Sequence, residues 1–113
     1  RVVFGKPLAA QGMAQEMIAI SRCDIEQARL LTLNAAAKLD AGSNKTAKDD
    51  IGMIKIIAPR MACTVIDRAM QLFGAEGLQH PFLAPAYVGA RCLRLADGPD
   101  EVHIAALARA MLK

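Results

Sequence analysis

With 113 residues, 12.1 kDa, 54% hydrophobic and 22% charged residues, the chain excludes wholesale disorder and leaves room for one compact domain. Five prolines and eight glycines exclude collagen-like and low-complexity architectures. A formal charge of +3, one Tyr, three Phe and no Trp provide neither a basic groove nor stacking platforms, so nucleic acid is excluded as an expected partner.

Twenty-two alanines stand against only seventeen Val, Ile and Thr residues, a balance that favours helices over sheets. The chain opens on Arg1-Val-Val-Phe4-Gly5-Lys6-Pro7-Leu8, with no basic-then-apolar leader and no initiating Met. That start marks it as an expected piece of a longer protein. From Met13 to Leu39 apolar residues recur at steps of three and four through Met17, Ile20, Ala28, Leu31 and Ala35, interrupted by Asp24. The spacing predicts one long amphipathic helix. Ala41-Gly42-Ser43-Asn44 ends it, because Gly and Asn enter a left-handed cap cheaply, and Thr46 with Asp49 resembles the next N-cap.

A second stripe runs from Ile51 to Phe73 through Ile54, Ala58, Met61, Val65, Ala69 and Leu72. Pro59 lies inside it, but the stripe keeps its phase across the proline, which predicts one kinked helix. A third helix is expected over Leu83 to Leu95 and a fourth over Pro99 to Leu112. Asp97-Gly98-Pro99-Asp100-Glu101 supplies a cap, a first-turn proline and carboxylates for that last helix. The fold class is therefore all-α: an antiparallel four-helix bundle occupying residues 1–113 as one domain. The longest uncharged stretch, Gly77 to Ala90, holds Pro81 and Pro85, and no segment approaches the roughly 20 apolar residues of a membrane span. The apolar content exceeds what so small a bundle can bury, so another domain or subunit is expected to cover part of its surface. Cys23, Cys63 and Cys92 are odd in number and lack CxxC or Cys/His spacing; they read as buried thiols in a reducing compartment, with no metal expected.

Three segments are unusual for a plain bundle: Arg1 to Leu8, Gln71-Leu72-Phe73-Gly74-Ala75-Glu76-Gly77, and Ala96-Asp97-Gly98-Pro99-Asp100-Glu101-Val102-His103. Taken singly, they admit ordinary readings as a solvated terminus, a C-cap with a turn, and an N-cap. In this order and spacing, over essentially the whole chain, they resemble the C-terminal helical domain of the FAD-dependent acyl-CoA dehydrogenases. The octet from Ala96 to His103 resembles the branch often fused to a phosphotransferase-like domain.

The resemblance implies that Arg1 and Phe4 contact FAD, with the planar guanidinium suited to the pyrophosphate. It implies that Gln71, Leu72, Phe73, Gly74 and Ala75 touch an FAD held mainly by a neighbouring subunit. Asp97 matches the catalytic carboxylate, which removes the α proton of an acyl-CoA thioester while a hydride leaves the β carbon, giving a trans-2-enoyl product. Burial in an apolar pocket would raise such a carboxyl's pKa and a helix start would lower it, and the sequence leaves both open. Family members commonly carry Glu at Asp97, an aromatic at Ala96, Gly-Thr at Gly98-Pro99, Gln at Gly12, a second Gly at Ala75 and Tyr at Leu78. The family also implies a homodimer or homotetramer, an electron-transferring flavoprotein as acceptor, and residence in the mitochondrial matrix of a eukaryote or the cytoplasm of a bacterium. The alternative is a helical module that only holds subunits together.

Overall fold

A computed structural model describes residues 1–113. The order is β1 (Val2–Val3), β2 (Lys6–Pro7), a single 3-10 turn at Leu8–Ala10, then α1 (Gly12–Ala41), α2 (Asn44–Phe73), α3 (Ala75–Gln79), α4 (Leu83–Cys92) and α5 (Asp100–Met111). The all-α expectation holds, with two additions. One is a tiny antiparallel hairpin in which Val2 pairs with Pro7 and Val3 with Lys6. Its two-residue turn places Phe4 at φ 50° and Gly5 at φ 74°, the sign required at both positions of the tight hairpin turn that matches strand twist. The other is α3, a five-residue helix too short to show any periodicity.

α2 is the spine: α1, α3, α4 and α5 all pack on it. It runs unbroken through Pro59, as the continuous phase predicts, and Pro59 is buried. It begins at Asn44, three residues before the start that a Thr46 cap implies, and its polar first turns carry a buried face formed by Ala47 and Asp50 ahead of the apolar stripe. Asp50 is buried because Asn34 Nδ2 and Lys38 Nζ of α1 both donate to Oδ1, at 2.8 Å each, and Lys38 Nζ also reaches Oδ2 at 2.7 Å. Asp24, the break in the first stripe, accepts from Arg68 across the same helix pair.

The α1–α2 turn differs in kind from the expected left-handed cap. Gly42 sits at φ −151°, and its place is reserved by space, since a Cβ would stand 3.1 Å from Thr46 Oγ1 and 3.4 Å from Lys38 O. Ser43 rather than Thr46 occupies the N-cap. α4 stops at Cys92, short of Leu95, and the chain then turns through residues 93–97 before α5.

The molecule is long, 58 × 25 × 23 Å, with a radius of gyration of 17.4 Å against about 13 Å for a compact chain of this length. Its core is a seam of small side chains: Ala14, Ala28, Ala35, Ala47 and Ala90 are buried, with Ile56, Cys63 and Leu83. α1 leans on one neighbour helix only, so Met13 is 75% exposed and Ile18, Ile20, Leu30 and Leu33 are exposed as well. The same geometry corrects the reading of the thiols. Cys63 is buried in α2, whereas Cys23 on the outer face of α1 and Cys92 at the end of α4 are exposed. No helix is long and apolar enough to cross a membrane.

Candidate functional site

Two of the three unusual segments meet at one end of the molecule. The hairpin folds back so that Leu8 N–H donates to Arg1 O at 2.7 Å, and Arg1 Nε donates to Leu72 O at 3.1 Å across 71 residues of sequence. That bond leaves Nη1 and Nη2 without an acceptor in the chain. Both nitrogens hang over Gly74, where an added Cβ would lie 3.2–3.4 Å from the guanidinium. Gly74 has φ 68° and ψ −144°, a backbone state essentially confined to glycine, so two constraints fix its identity.

Apolar hollows of about 340 Å³ lie on either side of Arg1. One is walled by Leu8, Ala9, Ala14, Ile18, Leu72 and Phe73; the other takes in Val3, Phe4, Met13, Met17 and Gln71. Phe4 stands at the hairpin tip, 98% exposed and at positive φ, a position that costs a bulky residue of order 1 kcal/mol or more. Phe73 meets the ring of His80 edge-on, with centroids 5.2 Å apart. Arg1, Phe4, Gln71, Leu72, Phe73 and Gly74 are thus brought together. Ala75, exposed at the start of α3, follows directly. α3 itself is held close by Gly77, whose Cβ would stand 2.5 Å from Met70 O.

Asp97 lies elsewhere. It borders a cleft of about 580 Å³ between the first half of α2 and α5, with Lys48, Asp49, Lys55, His103, Arg109 and Lys113 around it. About 25 Å of helix separate Lys55 on this cleft from Leu72 at the guanidinium. Asp97 is exposed at φ 54°, Gly98 follows at φ 101°, and the His103 ring nitrogen Nε2 is 3.2 Å from Asp97 O. No donor of the chain reaches its carboxylate, and it caps no helix, because the N-cap of α5 is Pro99. The cleft is lined by cations together with Asp49 and the apolar Ile51, Ala106 and Leu107.

Sequence reasoning treated Asp100 as a first-turn carboxylate and missed its structural importance. It is 3% exposed, and its Oδ2 accepts from Arg60 Nε and Arg94 Nε at 2.9 Å each, while Oδ1 is buried without a donor. Burial pushes the Asp100 carboxyl up, but the hydrogen bonds and charges of Arg60 and Arg94 outweigh it and hold it below the ordinary aspartate value. Arg94, six residues before it in an otherwise apolar stretch, was the available signal.

Comparison with known proteins places the whole chain in one family. Residues 1–112 match the family described as acyl-CoA dehydrogenase, C-terminal domain. The chain belongs to the acyl-CoA dehydrogenase family. It is 55% identical over 114 residues to mouse acyl-CoA dehydrogenase family member 10, covering 100% of this chain and 11% of that protein. It is 52% identical over 113 residues to the Mycobacterium tuberculosis protein named probable acyl-CoA dehydrogenase FadE2, covering 99% of this chain and 28% of that one. Butyryl-CoA dehydrogenase from Megasphaera elsdenii superimposes with a TM-score of 0.91 at 30% identity, over 100% of this chain and 29% of that one. The chain therefore spans well under a third of these relatives, and the family resemblance extends over the whole of the helical domain.

Proposed function

We propose that these residues form the C-terminal domain of a flavin-dependent acyl-CoA dehydrogenase, in which Asp97 is the base that takes the α proton of an acyl-CoA thioester. The observation that carries this reading is the Asp97 carboxylate itself: exposed at the lip of a cleft, in a left-handed turn, and bound to nothing else in the chain. A base must have a free lone pair within reach of the proton it abstracts. In the step proposed, the Cα–H bond breaks, its proton passes to a carboxylate oxygen of Asp97, and the trans-2-enoyl thioester forms. The cation-lined walls are suited to the phosphates of a CoA ester.

FAD fits the other end of the domain by the chemistry of the donors found there. Two unpaired guanidinium nitrogens on Arg1 suit a pyrophosphate, the bare backbone of Gly74 admits close approach, and Leu72, Phe73 and Phe4 offer apolar contact for a flat ring. When bound, FAD supplies the acceptor for the hydride leaving the β carbon. Because so much helix separates Arg1 from Asp97, the two ends of one chain serve different flavins, and a homodimer or homotetramer brings opposite ends together. The exposed apolar residues of α1 supply surface for such contacts. An electron-transferring flavoprotein is the proposed acceptor, and the mitochondrial matrix or the bacterial cytoplasm the proposed location. Ala96 takes a position usually aromatic, beside the base, and this widens the acyl channel toward long or branched chains; strict preference for butyryl-CoA over longer thioesters would count against it.

The deciding experiment replaces Asp97 by Asn in the complete protein. Turnover should fall by at least a hundredfold, the scale of a positioned base, with the flavin-to-protein ratio unchanged. Undiminished turnover would leave the domain as a subunit-holding module.

A further inference from the structure

The segment carrying Asp97 turns through the left-handed region at its apex and is anchored at its ends. Asp97 and Gly98 both sit at positive φ, a region that aspartate enters more readily than most residues but still less readily than glycine. Asp97 lies midway between Arg94 and Asp100, and those two residues are joined twice. Asp100 N–H donates to Arg94 O at 3.1 Å, and Arg94 Nε donates back to Asp100 Oδ2 at 2.9 Å.

The closed loop is then fastened to the spine. Arg60 of α2 donates to the same Oδ2, and Lys55, just over a turn earlier on α2, donates from Nζ to Leu93 O. Pro59 lies between these two cations and is buried. Both anchors therefore spring from the stretch of α2 on either side of Pro59. Asp100 accepts from both arginines through one oxygen, and it is buried while Asp97 is exposed.

We propose that Asp100, held by Arg60 and Arg94, is a positioning residue that fixes the left-handed turn at Asp97 and so aims the catalytic carboxylate into the cleft. The proposal rests on the reading of Asp97 as the base. The carboxylate of Asp100 never meets substrate; it acts by closing the loop on α2. A carboxylate with two guanidinium donors is a stiffer fastening than a neutral side chain, because charge-assisted bonds are the stronger ones. Asparagine at this site keeps the shape and loses the charge.

The test uses the complete flavin-loaded protein with Asp100→Asn, Asp97→Asn and the double variant. Asp100→Asn should lower kcat ten- to a hundredfold while KM for the acyl-CoA stays within threefold and the flavin-to-protein ratio is unchanged. The α-deuterium isotope effect on kcat should rise, since a misaimed base slows proton removal. Amide hydrogen exchange at residues 95–98 should accelerate at least tenfold, with α1 unaffected. In the Asp97→Asn background the Asp100 substitution should add nothing.

Unchanged kcat and unchanged exchange at 95–98 would overturn the proposal, and so would a uniform acceleration over all helices, the mark of a purely structural role. If Asp97→Asn keeps its turnover, the reading of the base fails by itself, and the exchange at 95–98 still decides whether Asp100 fixes the turn. Should Asp100→Asn not accumulate as folded protein, Arg60→Gln, which leaves the Arg94 bond in place, must show the same selective pattern in smaller degree, with Arg60→Lys restoring it.

Discussion

The two ends of this domain are built on opposite plans. At the Arg1 end, residues 71 positions apart converge, and the chain supplies its own bond, from Arg1 Nε to Leu72 O, to fix a guanidinium above Gly74. At the Asp97 end the carboxylate touches no donor of its own chain, and the bonds are spent on the loop around it. A side chain that must hold a resident anion is best fixed beforehand, since its ordering cost is then met by the fold. A base that must meet a transient substrate is best left free at the tip of a rigid support.

The sharpest way to break that contrast is at Arg1. In the complete protein, Arg1→Ala should weaken FAD binding ten- to a hundredfold, the range of about 1.5–3 kcal/mol for hydrogen bonds to a charged group. Titration of the apoprotein with FAD measures it. Arg1→Lys should recover only part, because an ammonium cannot bond Leu72 O and offer a planar fork together. Equal affinity in all three proteins would show that the Arg1 end holds no pyrophosphate.

A smaller effect is expected at the glycine beneath that end. Gly77→Ala forces a Cβ against the Met70 backbone, 2.5 Å from its carbonyl oxygen and 2.8 Å from its Cα, where no flexible side chain can give way. Overpacking of this kind costs about 1–3 kcal/mol, read as a fall of a few degrees in the melting temperature. Gly89→Ala is the control: it lies inside α4 with nothing within 4 Å, so alanine should stabilise by about 0.5–1 kcal/mol. Were Gly77→Ala as harmless as Gly89→Ala, α3 would not be seated on α2 as described.

How much of this could be read in the sequence depended on whether a feature repeats. The long stripes of α1 and α2 were legible, and so was the continuity through Pro59, because periodicity sums over many residues. The first turns of α2 were legible only as a cap, placed at Thr46 instead of Ser43; their buried face was not, because it is one alanine and one aspartate whose partners, Asn34 and Lys38, lie on another helix. The apolar stripe of α1 also promised more burial than a helix with one long neighbour can deliver, and the true seam runs through Ala14, Ala28 and Ala35. At the candidate site, the residue types at Arg1, Gly74 and Asp97 were legible as segments. The bond joining Arg1 to Leu72 and the arginine pair on Asp100 were not, since both depend on contacts distant in sequence.

Acid separates the fastened loop from the rest. The Asp100 carboxyl lies below its ordinary value in the folded chain and near about 3.9 in the unfolded one. A group depressed by folding contributes stability that is fully present above the unfolded value and lost as pH falls through the folded one. The contribution of Asp100 should thus be constant from neutrality to about pH 5, begin to fall near about pH 4, and be lost only once the pH has dropped past the lower folded value. Melting temperatures of the complete protein across that range should fall more steeply for the native sequence than for Asp100→Asn. Parallel curves would mean that Arg60 and Arg94 do not hold the carboxylate in its charged form.

The smallest effect belongs to the exposed ion pairs of α1, where Glu26 Oε1 lies 2.9 Å from Arg22 Nη2 and 3.7 Å from Arg29 Nη1. Both arginines are largely in water, and Glu26 Oε1, itself covered from solvent, has no hydrogen-bond geometry with either, so what remains is Coulomb attraction screened on the arginine side. Glu26→Gln should cost less than about 0.5 kcal/mol in low salt and nothing measurable in 1 M salt. Asp100→Asn should keep most of its cost in the same salt, because its partner arginines donate directly to a carboxylate shut off from the solvent. A salt dependence as large for Asp100 as for Glu26 would place the Asp100 carboxylate in contact with solvent, and a loop held only by surface charge could not keep Asp97 in its left-handed turn.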